Sequence, residues 1–391
     1  MSKSNDAGHF FQTSDALATI ERKAAKAKNK HGDPIELPSK ILAVRAIDDG
    51  SVYVAEAAGE LKRVVLETSQ VKRISSPAPA PLTSLAVSEA TKTLYAGCWD
   101  KYIYSTPLSR SPSTVKQRLA GHTDFVKCLA ATSLNGQPIL LSGGGGADAV
   151  IIVWDLGTGK QLHKLRGHTK ALQDFAIDPF SLPEGSAEPK DSFVLYTASS
   201  DPEIRCWHIS WDSAYELPES LDKPILAHDT SVYRLRFDSE GDLWTASADK
   251  TVKHLVRSRD WEADTVLQHP DFVRDVVVAE QLGLVVTACR DEEVRVWDIS
   301  SGDLVCTYSG HFEEVTGLAL VGGGRKVVSV SIDATVRQWS LEKQEMARYL
   351  EELKREEDGD DVEEMVEKSE GGMLTAEEEA ELAELMDDDD D

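Results

Sequence analysis

Nowhere in its 391 residues does this sequence offer an apolar run near the roughly 18 residues that cross a bilayer, and its N-terminus has no apolar stretch of signal-peptide length. Membrane insertion and secretion are therefore not expected, and a soluble protein of the cytosol or nucleus is. Cysteine is sparse. The five thiols, Cys98, Cys128, Cys206, Cys289 and Cys306, are odd in number and form no Cys-x-x-Cys. That excludes a disulfide framework and a thiolate zinc site, and it suits core thiols in a reducing compartment. Motifs of chemistry are missing too: there is no His-Glu-x-x-His, no Gly-x-Ser-x-Gly, and the glycine runs 143–146 and 322–324 lack the Lys-Ser/Thr that a phosphate loop requires. No catalytic centre, metal or cofactor is expected.

A surplus of positive charge is also lacking. The formal net charge is −26, but residues 342–391 hold 23 Asp and Glu against 5 Lys and Arg, so −18 belongs to this tail and only −8 to residues 1–341. A body at −8 presents no broad basic face, so nucleic acid is expected only as an indirect partner.

What is present is a repeat. The segments 287–298 and 329–340 align without a gap, their tryptophans Trp297 and Trp339 lie 42 residues apart, and His269 and His311 precede them at the same spacing. His122 with Trp154 and His168 with Trp207 are two further copies. A fifth has His228, Thr245 and Asp249 but Leu255 where the Trp should stand. Short β-branched runs such as 150–153, 285–287 and 326–330 alternate with Gly, Asp and Ser turns, as antiparallel meanders require.

From residue 41 to 341 this pattern resembles the WD-repeat family. The resemblance implies that each repeat supplies a His before the innermost strand, a Ser or Thr on the second strand, an Asp in the following turn and a Trp on the third strand, joined as a hydrogen-bonded tetrad. The sets His168/Thr197/Asp201/Trp207, His269/Thr287/Asp291/Trp297 and His311/Ser329/Asp333/Trp339 are complete, with Asp and Trp always six apart. Such a carboxylate is expected to be buried and to need the donors that the set supplies. In the third blade the set is His122/Asp148/Trp154, with Ser142 displaced by the glycine run and its hydroxyl role in doubt. The His228 blade, lacking the Trp, is expected to be softer by about 1 kcal/mol.

Two earlier segments, 41–74 and 82–119, keep the strand rhythm without the signature, so the expected fold is all-β: a seven-bladed propeller over 34–341, an N-terminal extension over 1–33 with a basic helix, and an acidic, partly helical or disordered tail over 342–391. A ring of blades needs its last sheet completed from the N-terminus. The candidates are 9–12 and 34–37, and the second is preferred because it leads directly into the first blade.

Asp15–Lys30 reads as a short helix with Arg22, Lys23, Lys26, Lys28 and Lys30 on one side, either a solvated surface or a contact for nuclear import or RNA. In the tail, Gly371-Gly372 reads as a hinge, and Thr375 to Glu378 as a capping box opening a helix through Met386. Leu374, Leu382, Leu385 and Met386 would form an apolar anchor among carboxylates.

In this family function lies on the face where the His turns and Asp turns open the central channel. Repeat offsets place Phe125, Phe272 and Glu314 just before innermost strands, and Trp99, Arg290 and Ile332 just before turn aspartates. These six form the expected partner-binding patch, since aromatics and Arg anchor interfaces. The expected function is a non-catalytic scaffold, a monomeric propeller within a complex of other proteins. An alternative is an escort that uses the acidic tail to hold a basic client such as a ribosomal protein or histone. A substrate receptor of a cullin-type ubiquitin ligase is a further alternative, disfavoured because the Arg often found two positions after Trp-Asp is Gly157 and Ser300 here.

Overall fold

The computed structural model describes residues 22–24, 26–48, 50–75, 77–108, 118–181 and 191–370. Among these, 28 strands form seven four-stranded antiparallel sheets, six of them meanders of neighbours in sequence and the seventh completed by the first strand. The sheets span 41–73, 82–120, 126–166, 172–216, 232–268, 273–309 and, for the last, 315–340 with Ile35–Glu36, and they are blades 1 to 7 in that order. The second strands are buried over most or all of their length, as in Leu284–Cys289 and Ser51–Glu56, because neighbouring blades cover both of their faces. The sequence accordingly runs Val, Leu and Ala there without polar alternation.

Innermost strands share an irregularity. In all seven the pairing skips the second residue, as between Val126 and Cys128, Leu172 and Asp174, or Val273 and Asp275. A bulge here turns the extra side chain toward the channel mouth and increases the local twist.

The ring is closed by Ile35–Glu36, which pairs antiparallel with Thr335–Ser340 as the outer strand of blade 7. The preferred of the two closing segments therefore takes the place; residues 9–12 lie outside the described residues. The residues before it reinforce the closure. Gln338 N–H donates to Gly32 O at 2.8 Å, and the buried Arg337 guanidinium donates to the carbonyls of His31 and Asn29. Residues 22–24 and 26 are helical, and their charges are spent within the protein: Arg22 and Lys26 pair with Glu292 at 2.9 and 3.1 Å, Lys26 with Glu293 at 2.6 Å, and Lys23 with Glu313 at 2.8 Å. Arg22, Lys28 and Lys30 nonetheless stay exposed, so the basic run keeps a surface position as expected. Carboxylates placed by blades 6 and 7 take three of its five cations.

The second unit, 342–391, contains the helix Lys343–Glu370. Arg348 pairs with Glu345 and Arg355 with Glu351, one turn away on the same helix. The expected hinge and helix of 371–386 lie outside the described residues.

Candidate functional site

The fastenings come first, because they fix the turns that carry the candidate site. In blade 4, His168 Nδ1 meets Asp201 at 3.0 Å, its Nε2 meets Thr197 Oγ1 at 2.8 Å, and the Trp207 indole N–H donates to the same hydroxyl at 2.9 Å. Blade 7 repeats this with His311, Asp333, Ser329 and Trp339 at 2.7 to 2.8 Å. The indole thus reaches the hydroxyl and not the carboxylate: Trp donates to Ser or Thr, the hydroxyl donates to Nε2, and Nδ1–H donates to Asp. Burial keeps His122 and His311 below the usual imidazole range, against the upward pull of their Asp148 and Asp333 partners. Burial also opposes the charge on Asp201, yet the bonds from His168 and Thr169 outweigh it and hold the carboxyl down to about 2. With both ring nitrogens committed, these histidines are fastenings and not metal ligands or bases.

Two expectations are corrected. In blade 3, Ser142 accepts from Trp154 at 2.7 Å and bonds His122 at 2.8 Å, so its hydroxyl keeps the usual role. The two extra residues bulge outward as a loop, held by Gly145 N–H to Phe125 O at 2.7 Å, and Asp148 folds back to His122. A Cβ on Gly145 would lie 2.0 Å from the Phe125 ring, so the glycine is there to admit the aromatic side chain. In blade 6 the set is complete in sequence but not in space. His269 bonds Thr287 at 2.8 Å, but its Nδ1 turns to Leu267 O at 3.2 Å, and Asp291 is taken by Arg295 at 2.6 Å. In blade 5, His228, Thr245 and Asp249 are joined at 2.7 to 2.8 Å, and Leu255 fills the tryptophan position, fully buried.

Blades 1 and 2 use other fastenings. Lys62 lies buried between Glu56 and Glu60 at 2.7 and 3.1 Å, and Asp100 accepts from Tyr102 N–H and Tyr104 O–H.

All six expected patch residues come to one end of the ring, where innermost strands begin and second strands end. They group in pairs. Trp99, 55% exposed, has its ring 5.7 Å from Phe125 of the next blade; the Arg290 guanidinium lies 5.2 Å over the Phe272 ring; and Ile332 N–H donates to Glu314 O at 3.2 Å. Trp99, Phe125, Glu314 and Ile332 line the mouth of a central cavity of about 990 Å³, while Phe272 and Arg290 lie outside its lining.

The channel wall below was missed from sequence. Asp174 of blade 4 accepts from Leu235 N–H of blade 5 at 3.0 Å, and Asp275 of blade 6 accepts from Leu318 N–H of blade 7 at 2.9 Å. Arg234 joins the two, at 3.4 Å from Asp174 and 2.8 Å from Asp275, and Arg236 bonds Asp174 at 3.0 Å. The available signal was charge in innermost strands, as in 232–237 and 273–275, where the second strands Leu243–Ser247 and Leu284–Cys289 carry none.

Seven four-stranded blades closed by an N-terminal strand and fastened by His, hydroxyl and Trp define a β-propeller of the WD type. Comparison with known proteins agrees. The family model "WD domain, G-beta repeat" matches residues 113–155, 221–254 and 302–340. An uncharacterized WD repeat-containing protein of Schizosaccharomyces pombe is 33% identical over 403 residues, covering 99% of this chain and 100% of the relative. The nuclear distribution protein nudF of Aspergillus niger is 23% identical, with 60% of this chain aligned to 63% of that protein. The WD40 propeller domain of Doa1 superposes with a TM-score of 0.64 over 79% of this chain and 95% of that one, at 21% identity, a likeness of fold alone. The chain belongs to the WD-repeat family, whose propellers are generally non-catalytic and bind other proteins.

Proposed function

We propose that this protein is a non-catalytic scaffold that holds a partner protein on the channel mouth, within a complex of the cytosol or nucleus. The observation that carries this reading is Trp99, a large aromatic side chain left 55% exposed beside Phe125 at the rim of a cavity. An exposed aromatic backed by a second ring is the composition of an interface anchor. The five thiols are buried and unpaired, as a reducing compartment requires.

The test is affinity purification of the full chain beside a Trp99→Ala/Phe125→Ala/Phe272→Ala/Arg290→Ala variant. Loss of a stoichiometric partner with a nearly unchanged melting temperature supports the reading; unfolding of the variant, or unchanged capture, overturns it.

A second reading has its own observation, the net charge of −18 over residues 342–391. Those carboxylates would hold a basic client. Truncation after Leu341 would then weaken capture in a salt-sensitive manner, and unchanged capture removes the idea.

A further inference from the structure

The wall of the channel carries charge that a purely apolar docking surface would not need. All seven residues displaced by the innermost-strand bulges line the cavity, and two of them are cations, Lys127 and Arg274. Arg274 has partners: it is ion-paired with Glu314 and lies 4.5 Å over the Tyr233 ring. Lys127 has none, for among the described residues it makes no ion pair or hydrogen bond. Deeper in the channel Arg234 and Arg236 share Asp174 and Asp275, whereas the guanidinium of Arg45 of blade 1, whose charged neighbours there are Arg236, Asp174 and Arg234, likewise makes no ion pair or hydrogen bond among the described residues.

Desolvation by the wall, then the repulsion of neighbouring arginines, pull both groups below their ordinary pKa, and the more distant charges of Asp174 for Arg45 and Glu314 for Lys127 only partly oppose this. The lining thus holds five cations against four carboxylates, one of which, Glu280, sits at the far end of Val273–Ala279. This local surplus lies inside a body of net charge −8.

We propose that the channel receives one oxyanion, a carboxylate or phosphoryl group on a side chain of a bound peptide, between Lys127 and Arg45, with an apolar neighbour in that peptide resting on Trp99 and Phe125. Two unpaired cations match one oxyanion through charge-assisted hydrogen bonds. About 990 Å³ admits a few side chains and no folded domain. A nucleic-acid backbone is disfavoured because its repeated phosphates would meet a negative body. The proposal rests on the reading of the mouth as a docking face and names the chemistry of what docks.

The test uses the full chain with three fluorescein-labelled decapeptide pools, identical except for a central phosphoserine, glutamate or serine, read by fluorescence anisotropy. Sodium tripolyphosphate and a single-stranded RNA serve as further arms. The expected result is binding of the phosphoserine pool, the glutamate pool or both, about tenfold weaker for serine, and a similar loss in Lys127→Met and Arg45→Met. The stronger pool identifies the source of the oxyanion. Both variants should melt at or above the wild-type temperature without peptide, and the acidic peptide should raise only the wild-type melting temperature. Equal binding of all three pools, binding retained by the double variant, or binding of tripolyphosphate or RNA alone overturns the proposal. If partner capture survives the channel variants but not the Trp99 and Arg290 substitutions, the docking face stands and the oxyanion site falls. If neither set affects capture, both fall.

Discussion

Blades 6 and 7 align residue for residue across their fastening segments, yet only blade 7 closes its network. His311 meets Asp333 at 2.8 Å, whereas His269 turns away and Asp291 bonds Arg295. Three neighbours explain the difference. After the histidine, Phe312 supplies a backbone N–H to Asp333 at 3.3 Å, while blade 6 has Pro270, which has none to give. Two residues after the aspartate, Thr335 bonds both Asp333 and His311, where blade 6 has Glu293, drawn off by Lys26. Both blades carry an Arg four residues after the aspartate, but Arg337 is held by the carbonyls of His31 and Asn29, leaving Asp333 to the histidine. A shared set of four residue types is therefore not sufficient; the donors around the carboxylate choose its partner.

The most forceful way to break the comparison is to delete residues 1–37. This removes the outer strand of blade 7 and frees Arg337, and the expected result is loss of the cooperative thermal transition, followed by circular dichroism. Next, Asp333→Ala should cost about 3 kcal/mol, because it strands the His311 and Thr335 donors in the interior, whereas Asp291→Ala should cost about 1 kcal/mol, since it releases Arg295 and one long bond from the Glu293 N–H. Denaturant midpoints decide this; equal losses would show that the two carboxylates do equivalent work.

Acid provides a third contrast. Burial, then the Arg295 charge, lowers His269 to about 4, while the unfolded chain takes up this proton near 6.5. Between those values the unfolded state binds more protons, so the stability is full above pH 6.5 and declines as pH falls toward 4, by about 2 kcal/mol at pH 5. His269→Gln should flatten that portion of the stability curve. The smallest effect sharpens the comparison instead. Pro270→Phe with Glu293→Thr gives blade 6 the donors of blade 7, and the expected outcome is a His269 pKa raised toward the usual imidazole range, read by NMR titration.

The seven blades, their order and the closing segment were legible from sequence because the burial pattern repeats every forty or so residues and a ring has one free edge to satisfy. The details that failed were local. Ser142 looked displaced because the loop between it and Asp148 is two residues longer than elsewhere, and spacing does not reveal that a glycine loop can bulge outward and leave both ends in place. Blade 6 failed in the opposite sense: its spacing is perfect, and the information sat in Pro270 and Glu293, outside the signature. The mouth residues followed from repeat offsets. Arg45, Lys127, Arg234 and Asp275 did not, since charge in a short strand reads as a solvent-facing side until curvature brings seven such strands around one axis.

Closure by Ile35–Glu36 has a consequence for biosynthesis. This segment leaves the ribosome about 300 residues before its partner Thr335–Ser340 exists. Throughout that interval the nascent protein has two unmatched β-edges, and bringing its ends together costs entropy that grows with the intervening length. Slow elongation or a premature stop codon should hence be far more dangerous to solubility than most single substitutions within a finished blade, and chaperone demand should peak just before translation of the final sheet is complete.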